Sequence, residues 1–416
     1  MQYFLTLASG IDLSNPYVMI IAASLVIIFS YLYNIIAEKT NIPSVLLLIV
    51  TGILLKLGLD KMGAADYDWM PSLEILGIIG LIMIVLEAAL DLQLTKEKLP
   101  MIGKALLVAL FSLIASALLI AALIQFFVSM SYMTALLYAT PLSVLSSAII
   151  IPSVSGLVVP KREFMTYDGA FSDILGIMMF YFLISLMESG GATATLQFGG
   201  SLLITIVVSI LASYGLVYVF KDMKGHIRLF LLIAILLLLY SAGKLFHLSP
   251  LLIILIFGMA LSNHKVAFKV FRNYFSSEKE DPIAKIEKEF HLITLETAFV
   301  VRTFFFVVFG MTIDLSALVD LDVFLISAAI IVILYIVRFL FLRMIVGRQI
   351  VPELWIAPRG LITILLFFAI PLEYTVETFS SGILLYVIIV SSLIMSFALI
   401  FDKNNSTASV TTEQDH

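Results

Sequence analysis

The sequence is built from long apolar runs separated by short polar breaks. A hydrocarbon crossing takes about 20 apolar residues, so the pattern predicts thirteen helices. They fall near 17–37, 43–58, 73–92, 101–128, 131–156, 163–189, 199–220, 226–245, 248–264, 291–312, 322–346, 352–372 and 380–401. The apolar stretch from 101 to 156 is too long for one crossing and folds back near Ser129–Met130–Ser131. No basic segment with a small-residue cleavage site precedes the first run, so the first span is expected to be retained. The fold class expected is an all-α polytopic membrane protein.

Composition agrees with the pattern. Of 416 residues, 62% are hydrophobic and 13% charged, with mean hydropathy +1.13. Soluble domains carry about 25% charged residues, which excludes a water-soluble globule. The chain has no cysteine and a formal charge of −5. Thiolate metal sites, disulfides and a nucleic-acid partner are therefore excluded.

The basic residues set the expected orientation. With the N-terminus outside, the inward loops carry Lys39, Lys96, Lys98, Lys104, Lys161, Arg162, Lys221, Lys224, Arg228 and the basic residues of 265–290. Arg343, Arg348 and Lys403 complete an inner set of eighteen, against Lys56, Lys61 and Lys244 outside. Arg302, Arg338 and Arg359 lie within spans. The C-terminus is then inside, as in a bacterial cytoplasmic (inner) membrane. Segment 265–290 reads as a cytoplasmic linker, with Phe268, Phe271 and Phe275 forming an amphipathic helix at the interface. Residues 402–416 read as a short, unstructured polar tail.

No Walker loop, serine elbow or metal-ligand histidine spacing occurs, and no cofactor or enzymatic activity is expected. Chemistry is instead sought among charges buried in apolar helices. Each costs about 2.5–3.5 kcal/mol on insertion scales and persists where it is paired or functional. Glu87, Asp168, Asp173, Glu296, Arg302, Arg338 and Arg359 qualify. Asp173 lies ten residues into its helix, about 15 Å deep at 1.5 Å per residue. Asp168 and Arg338 fall at comparable depth, and pairing is the cheapest way to bury both.

Two spans carry interruptions. Tyr138-Ala139-Thr140-Pro141-Leu142-Ser143 puts a proline mid-span, followed by Ser146 and Ser147; Ala357-Pro358-Arg359-Gly360 does the same seven spans later. With one extra N-terminal helix, two inverted six-helix repeats place both breaks at the fourth helix of each repeat. Broken helices at matched positions expose backbone groups that line ion sites in transporters. The alternative is that both prolines only kink packed helices. Arg359 either stabilises the end of a half-helix or pairs elsewhere.

These residues together resemble the monovalent cation/proton antiporter superfamily, especially its sodium/proton exchanger branch. Leu86-Glu87-Ala88-Ala89-Leu90 is similar to the family's F-E-x-G-L stretch, and Asp168-Gly169-Ala170-Phe171-Ser172-Asp173 to its E-S-x-x-N-D signature. Ala139-Thr140-Pro141 falls where the family has T-D-P, Phe304 to Gly310 resembles its F-x-G segment, and Arg359-Gly360 its second break.

The resemblance implies that Asp173 alternately binds cation and proton, that Asp168 pairs with Arg338, and that Glu87 lies near the ion site. It implies a transmembrane antiporter domain over 1–401, with core helices near 73–92, 101–128, 131–156, 163–189, 291–312, 322–346 and 352–372. It also implies a homodimer with alternating access. Ser172 replaces an asparagine or aspartate, Thr140 an aspartate and Gly169 a serine, so the expected shell is less acidic. Thr140, Ser143, Ser172 and carbonyls near Pro141 are the expected oxygen donors for Na⁺ or K⁺. With Ser172 uncharged, one-for-one electroneutral exchange with H⁺ is expected. The rival readings are a sodium-coupled organic-anion symporter and a non-transporting sensor or subunit.

Overall fold

The computed structural model describes residues 16–40, 42–61, 70–92, 95–221, 227–245, 248, 250–263, 282–313, 319–376 and 378–414. Among these residues there are helices and loops but no strand. The helices are α1 (Pro16–Thr40), α2 (Ser44–Lys61), α3 (Met70–Asp91), α4 (Leu99–Phe127), α5 (Tyr132–Ser143), α6 (Ser147–Ser153) and α7 (Val159–Ser189). They continue as α8 (Gly191–Lys221), α9 (Ile227–Leu245), α10 (Pro250–Ser262), α11 (Pro282–Thr312), α12 (Leu321–Ile345), α13 (Leu361–Phe368) and α14 (Gly382–Gln414). Nine helices among the described residues are long and apolar enough to span a bilayer, with α5 and α6 together forming one of them. The molecule is an all-α polytopic membrane protein.

The turn at Ser129–Ser131 returns the chain from α4 to α5, and Ser131 caps α5 by accepting from the Thr134 N–H at 3.1 Å. That cap satisfies one of the orphan donors at the helix start. Elsewhere the boundaries differ from the hydropathy reading. Helix α11 begins at Pro282, nine residues before the apolar run, and α14 continues through the polar residues to Gln414. An apolar run marks where lipid begins, whereas a helix ends only where a breaker or cap stops it, and no Pro or Gly lies in 402–414. The tail is thus helical where an unstructured one was expected. The Phe268, Phe271 and Phe275 segment lies outside the described residues.

The expected helix over 352–372 is also reduced. Only α13 is helical, and residues 346–360 run as turns and extended backbone with a cis peptide at Val351–Pro352. Pro352 and Pro358 lack the N–H a helix needs and disfavour the α conformation at the residue before them. Irregular backbone at membrane depth must be covered by protein, and Ile356, Ala357 and Arg359 are almost completely buried.

Packing gathers the helices into two groups. Helices α2, α3, α8, α9, α10 and α11 pack on one another; so do α4, α5, α6, α7, α12, α13 and α14. The α3–α7, α3–α13 and α7–α8 contacts join the groups. Helix α1 is peripheral, held by a Ser30–Thr303 hydroxyl pair at 2.6 Å and a Tyr33–Thr51 pair at 2.8 Å. Helices α2 and α11 touch through bare backbone at Gly52 and Gly310. A Cβ on Gly52 would lie 2.1 Å from the Val307 carbonyl, and one on Gly310 would lie 2.3 Å from that of Ile49.

Candidate ion-binding site

The interruption between α5 and α6 places three buried residues, Val144, Leu145 and Ser146, in non-helical backbone. Pro141 lies inside the last turn of α5, and the Val144 N–H closes that turn on the Pro141 carbonyl at 3.4 Å. The extended segment 356–360 crosses it. The Ser146 N–H donates to the Pro358 carbonyl at 2.9 Å, so the two interruptions satisfy each other's backbone groups.

Arg359 occupies the end of α5. Its Nε donates to the Leu142 carbonyl at 3.1 Å and its Nη2 to the Ser143 carbonyl at 3.4 Å. Nη1 returns to the Ala357 carbonyl at 2.5 Å, and the Arg359 N–H donates to Ser391 Oγ at 3.0 Å. A helix C-terminus carries unpaired carbonyls and the negative end of the dipole, so a buried cation is well placed there. These carbonyls were expected as cation ligands. The guanidinium donates to two of them, and each keeps a second lone pair. Gly360 allows the approach: a Cβ there would lie 2.6 Å from Ser146 Oγ and 2.7 Å from Ile149 Cδ1.

Helix α7 runs beside the crossing and contributes Asp168, Ser172 and Asp173, all buried. Asp173 meets the start of α6, where Ser147 Oγ donates to Asp173 Oδ2. Its Oδ1 has no partner among the described residues, and no salt bridge involving Asp173 occurs among them. Ser172 Oγ accepts from the Leu145 N–H at 2.9 Å, tying α7 to the interruption. Thr140 and Ser143 donate to the Leu136 and Ala139 carbonyls at 2.8 and 2.9 Å, leaving oxygen lone pairs free to accept. Ser146 Oγ is buried without a partner among the described residues.

The other buried acids among the described residues are paired, whereas Glu296 is exposed. Arg338 Nη1 lies 2.9 Å from Asp168 Oδ2, with both side chains almost fully buried. Arg338 Nε and Nη2 also donate to the Glu353 carbonyl at 3.0 and 2.9 Å, which anchors the irregular segment after α12. Lys161 lies 3.3 Å from Glu353 Oε2 on the same segment. Glu87 stands apart from Asp173: its Oε2 lies 3.3 Å from Arg302 Nη2, and Arg302 Nη1 donates to the Ala148 carbonyl at 2.8 Å. Between Asp173 and Glu87 the contacts run through Ser147, Ala148 and Arg302.

Two cavities adjoin the crossing. One of about 10 Å³ is lined by Ser143, Ser172, Arg338 and Arg359 among others, about the volume that holds one water. The other, about 350 Å³, extends from Ala37, Pro43 and Asp402 to Ala148, Ile149 and Arg302.

A family model described as "Sodium/hydrogen exchanger, transmembrane" matches residues 23–401. The chain belongs to the sodium/hydrogen exchanger family. Its fold is similar to that of the sodium proton antiporter MjNhaP1 from Methanocaldococcus jannaschii, solved at pH 8, with TM-score 0.66 and 18% identity over 93% of this chain and 99% of that one. An electron-microscopy map of the same antiporter gives TM-score 0.65 and 18% identity over 94% and 97%. No curated protein matches the chain. Membership makes this exchanger a cation/proton exchange protein of the membrane.

Two participants escaped the sequence reading of this exchanger. Ser147 was visible only as one of several serines after Pro141, though its place immediately beyond the interruption is the signal that marks it. Arg302 had no assigned partner, because helical periodicity does not reveal which helices face each other.

Proposed function

We propose that this exchanger moves Na⁺, or K⁺, against H⁺ one for one at the Asp173 carboxylate. The observation that carries the reading is the state of that carboxylate. It is 4% exposed, held through one oxygen by Ser147, and free of any salt bridge among the described residues. Burial penalises the charged carboxylate, while protonation or a bound cation each relieves the penalty. The two occupants therefore compete for one group, and the empty charged form is the least able to cross a dry barrier. Asp173 Oδ1, Ser146 Oγ and the remaining lone pairs of Thr140, Ser143 and Ser172 are the oxygen donors suited to a hard monovalent cation.

Asp168 with Arg338, and Arg359 with the end of α5, act as the frame that holds the crossing, around Pro141 and Gly360. With the N-terminus outside, the 350 Å³ cavity opens inward, since Ala37, Leu157 and Asp402 then lie at the inner face. A homodimer in a bacterial inner membrane suits this architecture. The narrow space beside Ser143, Ser172 and Arg359 favours a bare ion over an organic anion.

The test is flux in proteoliposomes. Na⁺- or K⁺-evoked proton movement is expected, and Asp173→Asn should abolish it, whereas full exchange in that variant removes the assignment.

A further inference from the structure

We propose that Arg302 is a tethered cation closing the path between the large cavity and Asp173, so that it sets access to the transport carboxylate. The inference deepens the proposed function and rests on Asp173 as its site. Arg302 lines the interior end of the 350 Å³ cavity together with Ala148 and Ile149, whereas Ser147 and Asp173 do not line it. Its two terminal nitrogens are held in different directions, Nη1 by the Ala148 carbonyl at 2.8 Å and Nη2 by Glu87 at 3.3 Å. Ala148 follows Ser147, the residue that donates to Asp173. The guanidinium thus occupies the backbone oxygen next to the carboxylate's own partner.

The placement has an electrostatic and a mechanical consequence. A cation moving inward along the cavity meets a like charge before it meets a carboxylate, and at protein depth such repulsion is weakly screened. Glu87 offsets part of that charge, and its oxygen is taken up by Arg302 at 3.3 Å. The Arg302–Ala148 bond also spans the two packing groups, since α11 belongs with α2, α3 and α10 while α6 packs on α7. A relative movement of the groups would break that bond and free the path. Arg302 is accordingly a positioning and selectivity residue rather than a ligand. Its Nε has no partner among the described residues, so the tether consists of the two terminal nitrogens and is breakable.

The chain has no native cysteine, so Asp173→Cys gives a single thiol whose labelling reads access directly. In purified protein, cationic and anionic methanethiosulfonate reagents are compared. Adding Arg302→Gln should raise the rate of cationic labelling about tenfold, the scale of losing one charged hydrogen bond, and by more than it raises the anionic rate. Arg302→Lys, which keeps the charge, should stay close to the parent. Glu87→Gln, which removes the counter-charge and leaves Arg302 a bare cation on its Ala148 tether, should lower the cationic rate by a few-fold relative to the anionic one, and carries the test if Arg302→Gln does not fold. Unchanged cationic labelling in folded Arg302→Gln, or in Glu87→Gln where the former is unstable, overturns the proposal, as does an equal change for both reagents. Labelling does not depend on exchange, so a failure of the Asp173 assignment, seen as full exchange in Asp173→Asn, is read separately.

Discussion

Arg359 Nε donates to the Leu142 carbonyl at 3.1 Å across 217 positions of sequence, and this bond joins the two interrupted segments. The same guanidinium reaches the Ser143 carbonyl. Its planar fork serves several acceptors at once, which the point charge of lysine does not. Arg359→Lys is therefore expected to lose about 2 kcal/mol, the scale of one hydrogen bond to a charged group. Arg359→Gln should lose more. Thermal unfolding in detergent measures both, and exchange should fall with stability; an Arg359→Lys protein with parental melting behaviour would show that the carbonyls find other donors.

The Asp168–Arg338 pair yields a coupling energy. Removing one partner of a buried pair strands the other and costs about 3–5 kcal/mol. Asp168→Asn and Arg338→Gln should each destabilise strongly, and the double variant should cost clearly less than the sum, since contacting residues couple. Arg338 also holds the Glu353 carbonyl, so Arg338→Gln is the more damaging single change. Additive losses in a double-mutant cycle would contradict the contact.

The crossing is tight enough to test with one methyl group. Gly360→Ala puts a Cβ 2.6 Å from Ser146 Oγ and 2.7 Å from Ile149 Cδ1. Overpacking of this kind costs about 1–3 kcal/mol, and here it forces apart the segments that flank Asp173. Exchange should fall steeply in Gly360→Ala. Gly103→Ala, which meets nothing within 4 Å on α4, should leave flux unchanged and stability equal or slightly raised, by up to about 1 kcal/mol of helix propensity.

These relationships were unequally legible in the sequence. The apolar runs outlined α4, α7 and α12 to within a few residues, because lipid imposes a length that composition records. The depth argument put Asp168 and Arg338 at one level, since residue spacing converts directly into rise along a helix. Hydropathy could not foresee that α11 begins at Pro282 or that 346–360 is irregular, because it registers lipid contact rather than hydrogen bonding. Facing partners were the least legible. Glu87 meets Arg302, 215 positions away, and Arg359 takes carbonyls expected to bind a cation. The Glu87–Arg302 pairing follows from no local pattern, whereas Arg359 at the end of a half-helix is one of the two placements the sequence offers for it.

The pairing of the other acids bears on stoichiometry. Glu87 is neutralised by Arg302 and Asp168 by Arg338, and Ser172 and Thr140 carry no charge. Asp173 is then the one carboxylate beside the crossing, among the described residues, with no basic partner. A carrier with one exchangeable charge takes either one H⁺ or one monovalent cation, so each half-cycle carries the same charge and electroneutral exchange is expected. In proteoliposomes with the voltage clamped by a K⁺ diffusion potential, the Na⁺/H⁺ reversal point should not move with voltage. Acidifying the cation-binding side should raise the apparent KM for Na⁺, because H⁺ competes for the same oxygens. A reversal point that shifts with voltage would require a second titrating group, and Glu87 freed from Arg302 would be the first to examine through Glu87→Gln.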